Sequence, residues 1–252
     1  MVIAPRLVVV VALAIAWIPG GCHPHAPPSA IDPSLASYIP PGTMVLAGVD
    51  LTQLRASDLY RKLSAASTAL AEPLRNASYV MVASSGSDVT AFARGDFREP
   101  PQGAEQIAPR LAVFGSPDGI RAARAQHRTG VSGAPDLLTY AEPLAGNPVW
   151  AVARGSATLP LTGNLANLNG FLHSTEYATA AAQIADTLSL NLTGICRTPT
   201  DAQHLERTLR AFVSLAGLRS PGPLAQTTIT LDHQTVRVTL AAQAADVEKL
   251  LH

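Results

Sequence analysis

Short β-prone runs arrive in pairs along this chain, and that pairing limits the folds open to it. Tyr79 to Ser84 and Val89 to Gly95 flank Ser85-Gly86-Ser87-Asp88, and Ala180 to Ala185 and Leu188 to Cys196 flank Asp186-Thr187. Thr227 to Leu231 and Thr235 to Leu240 lie on either side of Asp232-His233-Gln234. Runs joined by so few residues return antiparallel, because a parallel return needs a crossover of a dozen residues or more. Leu188, Leu190 and Leu192 alternate with Ser189, Asn191 and Thr193, the period of a strand buried on one side only. Single strand-like runs appear at Thr43 to Val49, Arg110 to Gly115 and Pro148 to Arg154.

Helical signals fall between these runs. Asp50 is placed as an N-cap with Gln53 three residues on, ahead of an apolar stripe through Leu51, Leu54, Leu59, Leu63, Ala66 and Leu70. Ser116-Pro117-Asp118 combines a cap, a proline at the first helical position and an acid in the first turn. Thr198-Pro199-Thr200-Asp201 repeats that start, with Leu205, Leu209, Phe212, Val213 and Ala216 as a buried face and Gly217 as its stop. Shorter helices are expected around Leu165 to Leu172 and at the C-terminus through Val247, Leu250 and Leu251. The fold expected is α+β, with mainly antiparallel sheets built from hairpins and helices packed on one face. The chain is expected to divide between Gly130 and Asn147 into two small α+β modules, 38–140 and 147–252, and strand–strand–helix appears twice within the second, which points to internal duplication there.

Charge narrows the partners. The 252 residues carry 18 Lys+Arg against 18 Asp+Glu, and charged residues make up 14% of the chain against 47% hydrophobic. A chain so balanced is not a polybasic nucleic-acid binder or an acidic solvating tail. Aromatic residues at 5% argue against a stacking platform for bases or sugars. No phosphate-cradling glycine loop, HExxH or GxSxG occurs, so neither a cofactor nor a metal is expected and no residue is assigned as catalytic.

Three other features invite chemistry and are read structurally. Gly115-Ser116-Pro117-Asp118-Gly119 places its serine directly after the first glycine, which fits a helix cap and not a nucleophile elbow. Cys196 ends a strand and is read as a small buried hydrophobe. Arg121, Arg124 and Arg128 share one helix face by steps of three and four, and form the one charged stripe available for surface contact.

The N-terminus carries an address. Arg6 precedes an apolar run from Leu7 to Ile18, which Pro19, Gly20 and Gly21 break just before Cys22. Twelve apolar residues as a helix rise about 18 Å, short of the ~30 Å hydrocarbon core. The segment therefore reads as a secretory signal, residues 1–21. Simple cleaved secretion and an uncleaved anchor are the other readings. Gly20-Gly21-Cys22 resembles a bacterial lipobox, whose cysteine is acylated and becomes the mature N-terminus; Pro19 stands where such motifs favour Leu. Residues 22–37, with Pro24, Pro27, Pro28 and Pro33 among Ala and Ser, read as an extended tether.

The tether, followed by Ile39-Pro40-Pro41-Gly42-Thr43 and the Val49-Asp50-Leu51 strand-to-helix turn, resembles a class of uncharacterised bacterial envelope lipoproteins built from small α+β modules. That resemblance implies export, a lipid on Cys22 and membrane anchoring on the extracytoplasmic, periplasmic side. The functional expectation is a non-enzymatic envelope protein that binds or scaffolds an envelope protein or ligand through a sheet face not covered by helices. Two alternatives stand beside it. One is an extracytoplasmic hydrolase or thiol enzyme assembled from distant residues, and the other a carrier of an apolar ligand.

Overall fold

The structure, a computed structural model, describes residues 31–57, 74–86, 88–159, 167–184, 187–219 and 227–243. The signal segment, Cys22, the tether up to residue 30, the stripe from Leu59 to Leu70, Asp186 and the C-terminal Val247, Leu250 and Leu251 lie outside the described residues.

Strands β1 (Val45–Asp50), β2 (Ala77–Ser84), β3 (Val89–Gly95), β4 (Glu105–Ala108) and β5 (Leu111–Gly115) come from the first half of the chain. From the second come β6 (Val149–Arg154), β7 (Tyr177–Ile184), β8 (Thr187–Ile195), β9 (Thr228–Asp232) and β10 (Thr235–Gln243). Among the described residues they form one ten-stranded sheet in the order β4-β5-β3-β2-β1-β6-β7-β8-β10-β9. Every neighbouring pair is antiparallel. The α+β, hairpin-built architecture expected from the turn spacing is therefore present. The hairpin β4–β5 was not anticipated, because Glu105–Ala108 has no alternating pattern of its own.

The two halves meet at the centre of this sheet, where β1 pairs with β6. Outward from there the order is β1-β2-β3-β5-β4 on one side and β6-β7-β8-β10-β9 on the other. The registers repeat as well, about a two-fold through the Ala47–Ala151 pair. The backbone N–H of Asp50 donates to Pro148 O at 2.8 Å, and its mate Arg154 donates to Met44 O at 2.9 Å. Further out, Gly95 N–H donates to Arg110 O at 3.0 Å, and its mate Cys196 donates to Gln234 O at 2.8 Å. Carried strand by strand, the register matches Val45 with Val149, Ala47 with Ala151, Tyr79 with Tyr177 and Ala83 with Ala181. The repeated unit is thus half the sheet, longer than the strand–strand–helix unit read from the sequence.

One face of the sheet carries Val49, Val80, Val82, Ala91, Ala93, Ala112, Val149, Ala182 and Leu188, packed with Leu51 and Leu54 of α2 (Leu51–Ala56). Asp50 caps α2: its carboxylate accepts from the N–H groups of Thr52 and Gln53 at 2.9 Å and from Gln53 Nε2 at 2.8 Å. On the same face, α5 (Asn167–His173) packs Leu172 against Ala153, and α6 (Pro199–Arg219) packs Ala202 and Leu205 against Ile229 and Val236. Helix α6 runs through Gly217 to Arg219, so the glycine is not its stop.

The opposite face differs between the halves. Over the first half it is covered by α1 (Pro33–Ala36), α3 (Pro117–His127) and α4 (Pro135–Ala141), followed by a 3-10 turn, Glu142–Leu144. Leu35, Ala123, Leu137 and Ala141 from these helices pack with Leu46, Met81, Phe92, Leu111, Val113, Trp150 and Val152. Among the described residues, helices lie on one face only over the outer strands of the second half, while over the first half and β6 they occupy both faces.

The segment 31–39 belongs to this packing. Ile31, Leu35, Tyr38 and Ile39 are buried, Arg94 pairs with Asp32, and Arg94 Nη2 donates to Ser34 Oγ at 2.6 Å. Packing therefore begins about seven residues before the expected start near Tyr38. Proline spacing had marked an extended chain here, but Asp32 accepts from Ser34 N–H and Pro33 opens a helical turn.

Candidate functional site

The nucleophiles come first. Cys196 is 1% exposed among Ala202, Leu205, Ile229 and Val236. Burial pushes its thiol pKa up, and Asp201 adds to the rise. A reactive thiol needs the opposite environment. His204, on the following helix, is exposed. Ser116 caps α3, accepting from Gly119 N–H at 2.9 Å and donating to Asp88 Oδ2 at 2.8 Å. Ser37 Oγ lies 2.7 Å from His127 Nδ1, and Tyr38 stacks on that imidazole with centroids 3.9 Å apart. Ser37 Oγ also donates to Ser34 O at 2.9 Å, so the hydroxyl is shared between a backbone carbonyl and the imidazole. These contacts fasten the 31–39 segment to α3.

One buried-edge ion pair stands out. Asp136, in the first turn of α4, accepts from Arg154 Nε and Nη2 at 2.9 and 2.8 Å and from the Tyr177 hydroxyl at 3.0 Å. The Arg154 guanidinium holds the Asp136 carboxyl down at about 2, against the opposing effect of partial burial and with help from Tyr177. Such a carboxylate is a poor proton acceptor near neutral pH. Its geometry ties α4 to β6 and β7 across the junction of the halves.

The arginine stripe divides. Arg121 pairs with Asp118 and Arg124 with Glu105, while Arg128 is the C-cap of α3 and exposed. Two of the three charges are thus already answered within the chain, which leaves less for an anionic surface than the spacing implied. Asn76, Asp96, Arg98 and Glu99 line an open concavity of about 600 Å³ at one end of the sheet. Among the described residues, no group of three or more His, Cys, Asp or Glu is close enough to hold a metal ion. No described helix is long and apolar enough to cross a membrane.

The feature that remains is the face of β7, β8, β10 and β9 opposite α5 and α6. It carries Tyr177, Thr179 and Gln183 from β7, and Ser189, Asn191 and Thr193 from β8. Thr235, Arg237 and Thr239 follow from β10, then Thr228, Thr230 and Asp232 from β9, and the apolar Ala181, Ile195 and Ala241 share the face with them. Most are exposed or half-buried. Thr239 Oγ1 donates to Asn191 Oδ1 at 3.1 Å, and Arg237 lies 3.7 Å from Asp232.

The two-fold shows how unusual this face is. Met81, Phe92, Leu111 and Val113 are all buried beneath the helices of the first half. Their mates by register are Thr179, Thr193, Thr235 and Arg237. On the other face the mates stay apolar: Ala91 and Ala112 correspond to Leu192 and Val236. At these four places one half is apolar where the other bears threonine or arginine, whereas on the same face Ala83 and Ala181 are apolar in both halves, Thr90 corresponds to Asn191 and Arg94 to Ile195. Burying three threonines and an arginine under a helix would leave them short of partners, at about 1–3 kcal/mol for each unsatisfied group. These side chains suit contact with water or with a polar surface. The alternation of Ser189, Asn191 and Thr193 with leucines signalled a solvent side for β8. The four-strand extent of the face was not readable without the strand order, since β9 and β10 are distant from β7 in sequence.

No protein-family model matches the chain, and no curated protein matches it. Solved structures similar to it include crystal form I of TP0453, at 9% identity over 88% of this chain and 97% of that one, with a TM-score of 0.47. Crystal form III of TP0453 is similar at 9% identity over 88% of this chain and 98% of that one, with a TM-score of 0.49.

Proposed function

We infer that this chain is a membrane-tethered envelope protein without a reaction of its own, which holds a partner on the open polar face of its second half. The observation that carries this reading is that Thr179, Thr193, Thr235 and Arg237 stand half-buried or exposed at the places that buried Met81, Phe92, Leu111 and Val113 hold in the other half. A rigid sheet presenting β-branched hydroxyl side chains loses little rotamer freedom when a partner docks. The shielded Cys196 and the ion-paired Asp136 support a non-enzymatic role, because neither suits nucleophilic or general-base work. On this reading Cys22, after Gly20-Gly21, is the residue to which the anchoring lipid is attached.

The test compares wild type with a Thr193→Lys, Thr235→Lys variant in the native host, by native electrophoresis of detergent-solubilised membranes. Loss of a larger complex in the variant, with melting unchanged, is expected. Identical migration of the two proteins would refute the reading.

A second reading, a carrier of an apolar ligand, has one observation in its favour. On the helix-bearing face the middle strands present Ala151, Ala178 and Ala180, all half-buried, beside half-buried Leu190, Leu192 and Leu240. Small side chains beside leucines give this stretch an apolar surface that is only half covered. Gentle-ionisation mass spectrometry of the purified protein would reveal a co-purifying lipid if that reading holds.

A further inference from the structure

We propose that the partner on the open face is a second copy of this chain, docked face to face across a two-fold axis on the membrane. The proposal rests on the partner-binding reading above and names its partner. Three features of the face favour a copy of itself.

The first is hydrogen-bond character. Hydroxyl and amide side chains both donate and accept. Thr179, Thr193, Thr228, Thr230, Thr235, Thr239, Ser189, Asn191 and Gln183 therefore form a surface that its own copy can satisfy, as an isologous contact demands. The second is charge. Among the described residues the face carries one cation, Arg237, and one anion, Asp232, 3.7 Å apart, so two copies meet without net repulsion. A strongly acidic or basic partner would find no counter-charge there.

The third is size. Four strands spaced ~4.8 Å apart, with same-face residues ~6.7 Å apart along each, give a footprint of roughly 20 by 20 Å. Two such faces bury roughly 800 Å², below what a stable interface needs and in the range of weak, transient contacts. A weak face-to-face contact needs a raised effective concentration, and confinement of both copies to one membrane provides it. The interface then forms on the membrane, and dilute protein released from it separates.

The experiment uses the full chain in its own membrane, with single cysteines introduced at Thr193 or Thr239 on the face and at exposed Thr139 on α4. A bis-maleimide spanning the ~10 Å between facing sheets is applied, and the same membranes are washed with salt and fractionated. Native Cys196 is buried and does not compete for the reagent. The expected result is a band at twice the chain mass for Thr193→Cys or Thr239→Cys, absent for Thr139→Cys. Adding Arg237→Glu should abolish it, because each copy then presents only acid at that place.

No doubled band at either face position, in membranes that retain the protein, overturns the second-copy inference and leaves the anchored, partner-binding reading standing. Equal cross-linking at all three positions also overturns it, since random crowding would do the same. Release of the wild type by the salt wash overturns the anchoring on which the inference depends.

Discussion

The indole of Trp150 fills the space that Gly48 leaves by having no side chain: a Cβ there would overlap the indole and the Tyr79 hydroxyl. Gly48 faces Trp150 across β1–β6 and Met81 across β1–β2. Trp150 and Met81 are fully buried. The contact lies beside the two-fold at the centre of the sheet, so a disturbance here reaches both halves. Gly48→Ala should destabilise by about 1–3 kcal/mol, the usual cost of overpacking a tight core. Chemical denaturation of the variant checks it, and an unchanged midpoint would mean that Trp150 can move aside freely.

Acid should weaken the junction of the halves through Asp136. Its carboxyl is held at about 2, below the ordinary 3.8, so the unfolded chain binds the proton more readily than the folded one. The stabilisation is complete above about pH 5 and is lost as the pH falls through 4 toward 2. With both side chains near a third exposed, we expect about 1–2 kcal/mol from it after allowing for solvent screening. Stability curves measured from pH 6 to pH 2 should be flatter for Asp136→Asn than for wild type. Parallel curves would show that the pair contributes nothing.

Cys196 should behave as a packing residue. Its thiol pKa is raised by burial, so little thiolate exists at neutral pH. Native protein should react with a thiol reagent only at the rate of opening, and Cys196→Ala should cost about 1–2 kcal/mol from lost burial. Immediate labelling at pH 7 would contradict the packing around it.

Local chemistry was legible in the sequence where a single residue decides it. The Asp50 and Ser116 caps, the turn between Ser84 and Val89, the bounds of β3 and the end of β6 follow from neighbours within four positions. What could not be read were arrangements set by distant partners. Helix α4 lacks a side-chain cap at Ala134 and is held by packing of Leu137 and Ala141. The four-strand open face depends on β10 inserting between β8 and β9, a choice that no spacing within Thr228 to Gln243 records. Threonine at 179, 193 and 235 looks ordinary strand by strand. It becomes informative only once the register sets it against Met81, Phe92 and Leu111.

The segment 31–39 should prove to be part of the fold and not of the tether. Leu35 is buried at 1% exposure and Ile39 is fully buried, and Gly133 N–H donates to Ile39 O at 2.9 Å. Asp32 and Ser34 engage Arg94, and Ser37 engages His127, so the segment is pinned to β3 and α3 by side chains as well as by burial. Leu35→Ala should cost about 2–4 kcal/mol, as for other fully buried leucines. Arg94→Ala should cost less, about 0.5–1.5 kcal/mol, because the pair with Asp32 is a third exposed. Changes before Ile31 should leave stability unaltered. The consequence for anchoring is geometric. From Cys22 to Ile31 the chain advances nine residues, which fully extended span at most about 30 Å. If Cys22 carries the lipid, the folded part cannot stand further than that from the membrane surface. Thermal melts of Leu35→Ala, Arg94→Ala and a Pro27→Ala, Pro28→Ala control would rank the three. A Leu35→Ala protein melting with the control would return residues 31–39 to the tether.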